Sequence, residues 1–125
     1  MKIMAIRTWA AVMMLLVSAT VLAHGDPVPQ RGGILQVLDE LDFELVVKAD
    51  KIDLYTSDDN EPVPSEQMSG TLTIKDDSGS TKVTLEPAGI NRLRAPDITA
   101  ASGSRVVAIV TMPDGKSLAV TFAIP

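Results

Sequence analysis

The only imidazole in this 125-residue chain belongs to His24, and there is no cysteine. His24 gains unusual chemistry if the chain is cut after Ala23, because it then becomes the first residue. Its α-amine and Nδ1 can close a chelate ring on a borderline divalent ion, and the affinity order favours Cu(II). Asp26, two residues on, offers an oxygen ligand. His24 and Asp26 are therefore the candidate metal ligands, for a weakly bound Cu ion and no resident cofactor. The alternative is that His24 is merely the residue after the cleavage site. Beyond Ala23 the remaining soft ligands are Met68 and Met112, of which Met112 reads as core.

Other site chemistries lack their residues. Without cysteine, thiol catalysis and Cys/His zinc centres are excluded. A Ser-His-Asp triad needs a rigidly held base, and a segment just after a leader is a poor place for one. The pairs Asp58-Asp59 and Asp76-Asp77 are acidic, but each sits among turn-forming residues and reads as a solvated turn. Neither follows the spacing of an EF-hand loop. The expectation is a protein with no catalytic residues and no enzymatic activity.

The elements that must position these groups begin with a leader. Met1–Ala23 carries Lys2 and Arg7, then an apolar run from Trp9 to Leu22, then Val21-Leu22-Ala23. This is the pattern of a secretory signal peptide. The apolar run is shorter than the roughly 20 residues of a spanning helix. Cleavage after Ala23 is expected, with Ala19 as the alternative, and the product would be periplasmic. Losing Lys2 and Arg7 takes the basic count from 11 to 9 against 16 acidic residues, so the formal charge moves from −5 to −7. Such a surface disfavours nucleic acid and anionic lipid as partners.

Residues 24–33 hold two prolines and three glycines without apolar periodicity and read as a flexible arm. Residues 34–125 form the domain. Short alternating runs recur at Ile34–Leu38, Phe43–Lys48, Lys51–Ser57, Gly70–Lys75, Thr81–Glu86 and Asn91–Ala95. In Lys51–Ser57, Asp53 and Tyr55 fall on the wet face. Ser65–Met68 reads as a helical turn capped by Ser65. The last hairpin is the clearest: two apolar runs flank Pro113-Asp114-Gly115, where proline sets the first turn position and glycine supplies a positive φ. Its second run buries one face through Leu118, Val120, Phe122 and Ile124. Its first run, Arg105–Met112, is apolar on both faces and reads as a central strand covered on both sides. The fold class is all-β, an immunoglobulin-like two-sheet sandwich of about seven or eight short antiparallel strands, with a small barrel as the alternative.

Several stretches together carry a resemblance. They are His24-Gly25-Asp26, Arg31-Gly32-Gly33, Phe43-Glu44-Leu45-Val46, Glu86-Pro87-Ala88-Gly89 with Asn91-Arg92-Leu93, Gly115-Lys116 after Pro113, and Phe122-Ala123-Ile124. In these the chain resembles small periplasmic proteins of Gram-negative bacteria associated with copper or other heavy-metal efflux. It is also similar to the N-terminal β-domain of some periplasmic adaptor subunits of RND pumps. The resemblance implies an accessory role in heavy-metal tolerance, by weak metal binding through His24 and Asp26 or by docking to an efflux adaptor. The family often has His or Tyr before the Gly-Gly pair, where this chain has Arg31. The competing expectation is a non-catalytic sandwich that binds a protein partner and has no metal role.

Overall fold

A computed structural model describes residues 27–125. The leader, His24 and Asp26 lie outside the described residues. Nine strands follow in order: β1 Ile34–Leu38, β2 Leu41–Val47, β3 Lys51–Asp58, β4 Glu61–Pro62, β5 Ser69–Asp76, β6 Gly79–Pro87, β7 Arg92–Pro96, β8 Arg105–Thr111 and β9 Ser117–Ala123. A single turn of 3-10 helix, Ser65–Gln67, lies between β4 and β5. The described chain is thus all-β, and none of its helices is long and apolar enough to cross a membrane.

Every strand pairing is antiparallel. The pairing path runs β1-β2-β3-β7-β6-β5-β8-β9, with β4 attached to β3. The two ends of the path approach each other, since β1 lies against β9, so the sheet is nearly closed. Lys116 in the β8–β9 turn reaches Asp39 in the β1–β2 turn at 2.7 Å, tying the two edges at one end. Both side chains are exposed, and such a pair adds little stability.

Alternation decides what goes inside. Phe43, Leu45, Ile52, Leu54, Leu72, Leu85, Leu93, Val106, Val110 and Phe122 all lie within one core and expose almost nothing. On β9 Leu118, Val120 and Phe122 are buried while Ser117, Ala119, Thr121 and Ala123 are exposed, as the period of two predicts. The turn before it is built as expected. Gly115 has φ +89, and its N–H donates to the Met112 carbonyl at 2.8 Å.

Three expectations need correction. β8 is covered on one face only: Val106, Ala108 and Val110 are buried, but Ile109 is 43% exposed. Among the described residues no second layer lies over the outer face of β5, β8 and β9, and Val and Ile on that face serve strand propensity rather than burial. Ser65 does not cap its turn. It is buried, and its Oγ donates to the Gly89 carbonyl at 2.7 Å, pinning the 3-10 turn to the β6–β7 loop. Asp53 is not wet but fully buried, for reasons that belong to the site below.

Candidate functional site

The outer face of β2, β3 and β7 carries the polar chemistry of the described residues. Register sets it out in two rows. Leu35, Glu44, Tyr55 and Arg92 lie side by side across β1, β2, β3 and β7. The next row holds Val46, Asp53, Arg94 and Glu86 across β2, β3, β7 and β6.

Glu44 is the anchor of the first row. Its side chain is 4% exposed, and its carboxylate accepts three backbone N–H groups: Gln30 at 3.0 Å, Arg31 at 2.8 Å and Gly33 at 2.9 Å. The segment before β1 therefore doubles back over the sheet. Two glycines permit this. Gly32 sits at φ +71, and a Cβ on Gly33 would come within 2.4 Å of the Leu45 carbonyl oxygen. Gln30, Arg31 and Gly33, read as part of a flexible arm, have hydrogen-bond partners here, and the close approach that Gly33 allows is to the chain's own sheet. Arg31 completes the clamp. Its Cζ stands 3.9 Å from the Tyr55 ring centroid, and its Nη1 lies 3.7 Å from Glu44 Oε1. Arg92 flanks Tyr55 on the other side, with Nη1 3.5 Å from the phenol oxygen. Its Nε donates to the Ala88 carbonyl at 2.7 Å and its Nη2 donates to the same oxygen.

The second row is an ion cluster. Arg94 donates to Asp53 through Nε at 2.7 Å and Nη2 at 3.1 Å, and Lys48 Nζ lies 3.4 Å from the same carboxylate. The long stems of Arg94 and Lys48 cover Asp53, which is how an outward-pointing residue becomes buried. Burial pushes its carboxyl up, but the hydrogen bonds and charges of Arg94, then Lys48, outweigh that and hold it below the usual value. A lowered folded-state pKa means the carboxylate stabilises the fold above the ordinary value of 3.8. That contribution is lost as pH falls through the lowered folded-state value. Urea midpoints measured from pH 7 down to pH 2 should fall more steeply below about pH 4 for the natural chain than for Asp53→Asn. Parallel curves would contradict this.

The acidic turns behave as turns. Asp76 Oδ1 accepts from Ser78 N at 2.8 Å and from Ser78 Oγ at 2.6 Å, and these bonds lower its pKa. Asp59 and Asn60 take φ +52 and +68 between β3 and β4, the geometry of a tight hairpin turn. Asp58 and Asp59 do share a shallow depression with Pro27, Val37, Glu40 and Asp42. Among the described residues no three His, Cys, Asp or Glu side chains converge to hold a metal ion. Met68 and Met112, the soft ligands within the described residues, are core side chains at 4% and 9% exposure.

Sequence reasoning missed Glu44, Asp53 and Arg94 as a group. The available signal was Glu44 standing inside the apolar run Phe43–Val47, where an unpaired carboxylate would be costly. No family model matches the chain, and neither a curated protein nor a solved structure does.

Proposed function

We propose that the chain is a non-catalytic periplasmic accessory protein of heavy-metal tolerance, exported by its leader. It binds Cu(II) weakly through the freed amine and imidazole of His24 with help from Asp26, or docks on an efflux adaptor. The observation that supports this most directly is an acidic depression on the described domain. Pro27, one residue after Asp26, lines the depression formed with Glu40, Asp42, Asp58 and Asp59. A concentration of one sign of charge raises the local concentration of counter-ions.

Titrating Cu(II) into the processed protein and into its His24→Ala version tests the metal half. The expected result is saturable binding that weakens about tenfold or more without the imidazole. Equal, negligible binding by both proteins would remove it. An intact mass showing that His24 is not the first residue would remove the chelate.

The second reading is a sandwich-like module that binds a protein partner and has no metal role. It is favoured by the two path-end strands, β1 and β9, which lie together without pairing, and by the exposed outer face of β8. On this reading the architecture is an immunoglobulin-like sandwich whose two halves share β6. The support for that is that β6 pairs with β5 from Gly79 to Leu85 and with β7 through Glu86 and Pro87.

A further inference from the structure

Arg31 stands over the Tyr55 ring and beside Glu44, yet among the described residues its side chain donates no hydrogen bond. Tyr55 supports it from below at 3.9 Å, and register fixes Tyr55 between Glu44 and Arg92. Glu44 stands 3.7 Å away, an ion pair beyond hydrogen-bond distance, because its oxygens are already committed to the backbone of residues 30, 31 and 33. To the other described residues the guanidinium donates no hydrogen bond, although the side chain is 38% exposed. A guanidinium stacked on an aromatic ring, with its N–H edge open, is preorganised for two parallel bonds to a planar oxyanion.

The ground beside it suits such a ligand. A second depression is lined by Arg31 with the amides of Gln30, Asn60 and Asn91 and the hydroxyl of Ser57. Among the described residues no carboxylate lines it, in a chain with 16 acidic residues against 11 basic. Asn91 Nδ2 is already given to the Thr56 carbonyl at 3.0 Å, whereas Gln30 Nε2 makes only a long, exposed bond to the Val28 carbonyl at 3.4 Å, so Gln30 and Asn60 are the adaptable amides. Amide side chains carry both donor and acceptor, as a peptide backbone does. The depression is walled by Pro62 and Ile90, and Ile90 is 79% exposed. Its side chain is bare while its main chain is fixed, since the Ile90 carbonyl accepts the Ser65 N–H at 2.8 Å.

We infer that this depression binds a carboxylate carried by a short extended peptide segment. Arg31 takes the carboxylate, Gln30 and Asn60 take the peptide backbone, and Ile90 packs against an apolar neighbour. A guanidinium also accepts phosphate. With one cation in the site and a negative chain around it, the singly charged carboxylate is favoured over a dianion. This docking chemistry does not depend on His24, metal or efflux.

The test is a titration of the full isotope-labelled chain, read by NMR, with N-acetyl-dileucine, with the same dipeptide blocked as its C-terminal amide, and with inorganic phosphate. The acid should shift the Arg31 Nε–H resonance and the amides of Asn60 and Ile90 saturably, with a Kd on the order of 1 mM. The blocked dipeptide should bind about tenfold weaker or worse. Arg31→Lys keeps the charge but loses the planar fork, and should also weaken binding about tenfold. Ile90→Ser, at an exposed position that leaves the core intact, should weaken it about threefold. Equal shifts from acid and blocked dipeptide, no saturable shift at Arg31, or full affinity in Arg31→Lys would overturn the inference. Phosphate saturating the same resonances more tightly than the dipeptide would overturn the carboxylate assignment.

Discussion

Phe122→Ala is expected to lower the free energy of unfolding by about 3–5 kcal/mol, the range for emptying a buried aromatic site. Phe122 is fully buried on β9, and it shares the core with only one other phenylalanine, Phe43. The rest of that core is aliphatic side chains with Met68 and Met112, and no disulfide holds the chain together. Position matters as much as volume. β9 is the end of the pairing path and has a hydrogen-bonded neighbour, β8, on one side only. On its other side it lies against β1 without pairing, so a cavity under Phe122 also loosens the closure of the sheet. A small domain has about 5–15 kcal/mol in total, so the loss removes a large share of it. Guanidinium unfolding at pH 7 measures it. Phe122→Leu, which keeps most of the apolar volume, should cost roughly 1–2 kcal/mol. A loss below about 1 kcal/mol for the alanine variant would mean that the site collapses freely and the core is not close-packed.

What could be read from the residues was whatever depends on neighbours along the chain. The alternation of Leu118, Val120 and Phe122 and the Pro113-Asp114-Gly115 turn need only a period of two and a preference for positive φ, and both are found. Asp53 shows where that reading stops. Its place on the outward face was legible, but its burial depends on Arg94, 41 residues away on β7, which no local pattern brings beside it. β8 shows the converse: Val107 and Ile109 looked like a covered face because strand propensity and burial select the same residue types. Path order beyond the hairpins was not legible. The neighbour of β3 is β7 and the neighbour of β5 is β8, and such pairings are set by the packing of the whole core. Within the candidate site, the glycines of Arg31-Gly32-Gly33 permit close backbone approach to a partner or to the chain's own sheet, and residue type alone does not decide between them. His24 and Asp26 remain proposals from sequence.

Glu44→Ala is expected to release the segment before β1 while leaving the sheet folded. The carboxylate accepts from three N–H groups of Gln30, Arg31 and Gly33 and lies 3.7 Å from the Arg31 guanidinium, so one substitution removes the side-chain acceptor that, among the described residues, holds this segment. Charge-assisted bonds are each worth about 1.5–3 kcal/mol, but the freed N–H groups can turn to water as the segment lifts. A net loss of about 2–3 kcal/mol follows, smaller than the sum of the bonds. Glu44→Gln should fall between, because its amide turns two of its own donors towards N–H groups that need an acceptor. Local release gives a sharper readout than stability. Trypsin can cut between Arg31 and Gly32 only if that backbone leaves the sheet, so cleavage there should speed up by at least about tenfold in Glu44→Ala, a local opening made easier by about 1.4 kcal/mol. Amide exchange at residues 30, 31 and 33 should accelerate with it, while Leu54 and Val110 in the core keep their protection. If the natural chain and Glu44→Ala were cut at Arg31 equally fast, Glu44 would not be what holds the segment down, and Arg31 would lose the fixed position that its carboxylate site requires.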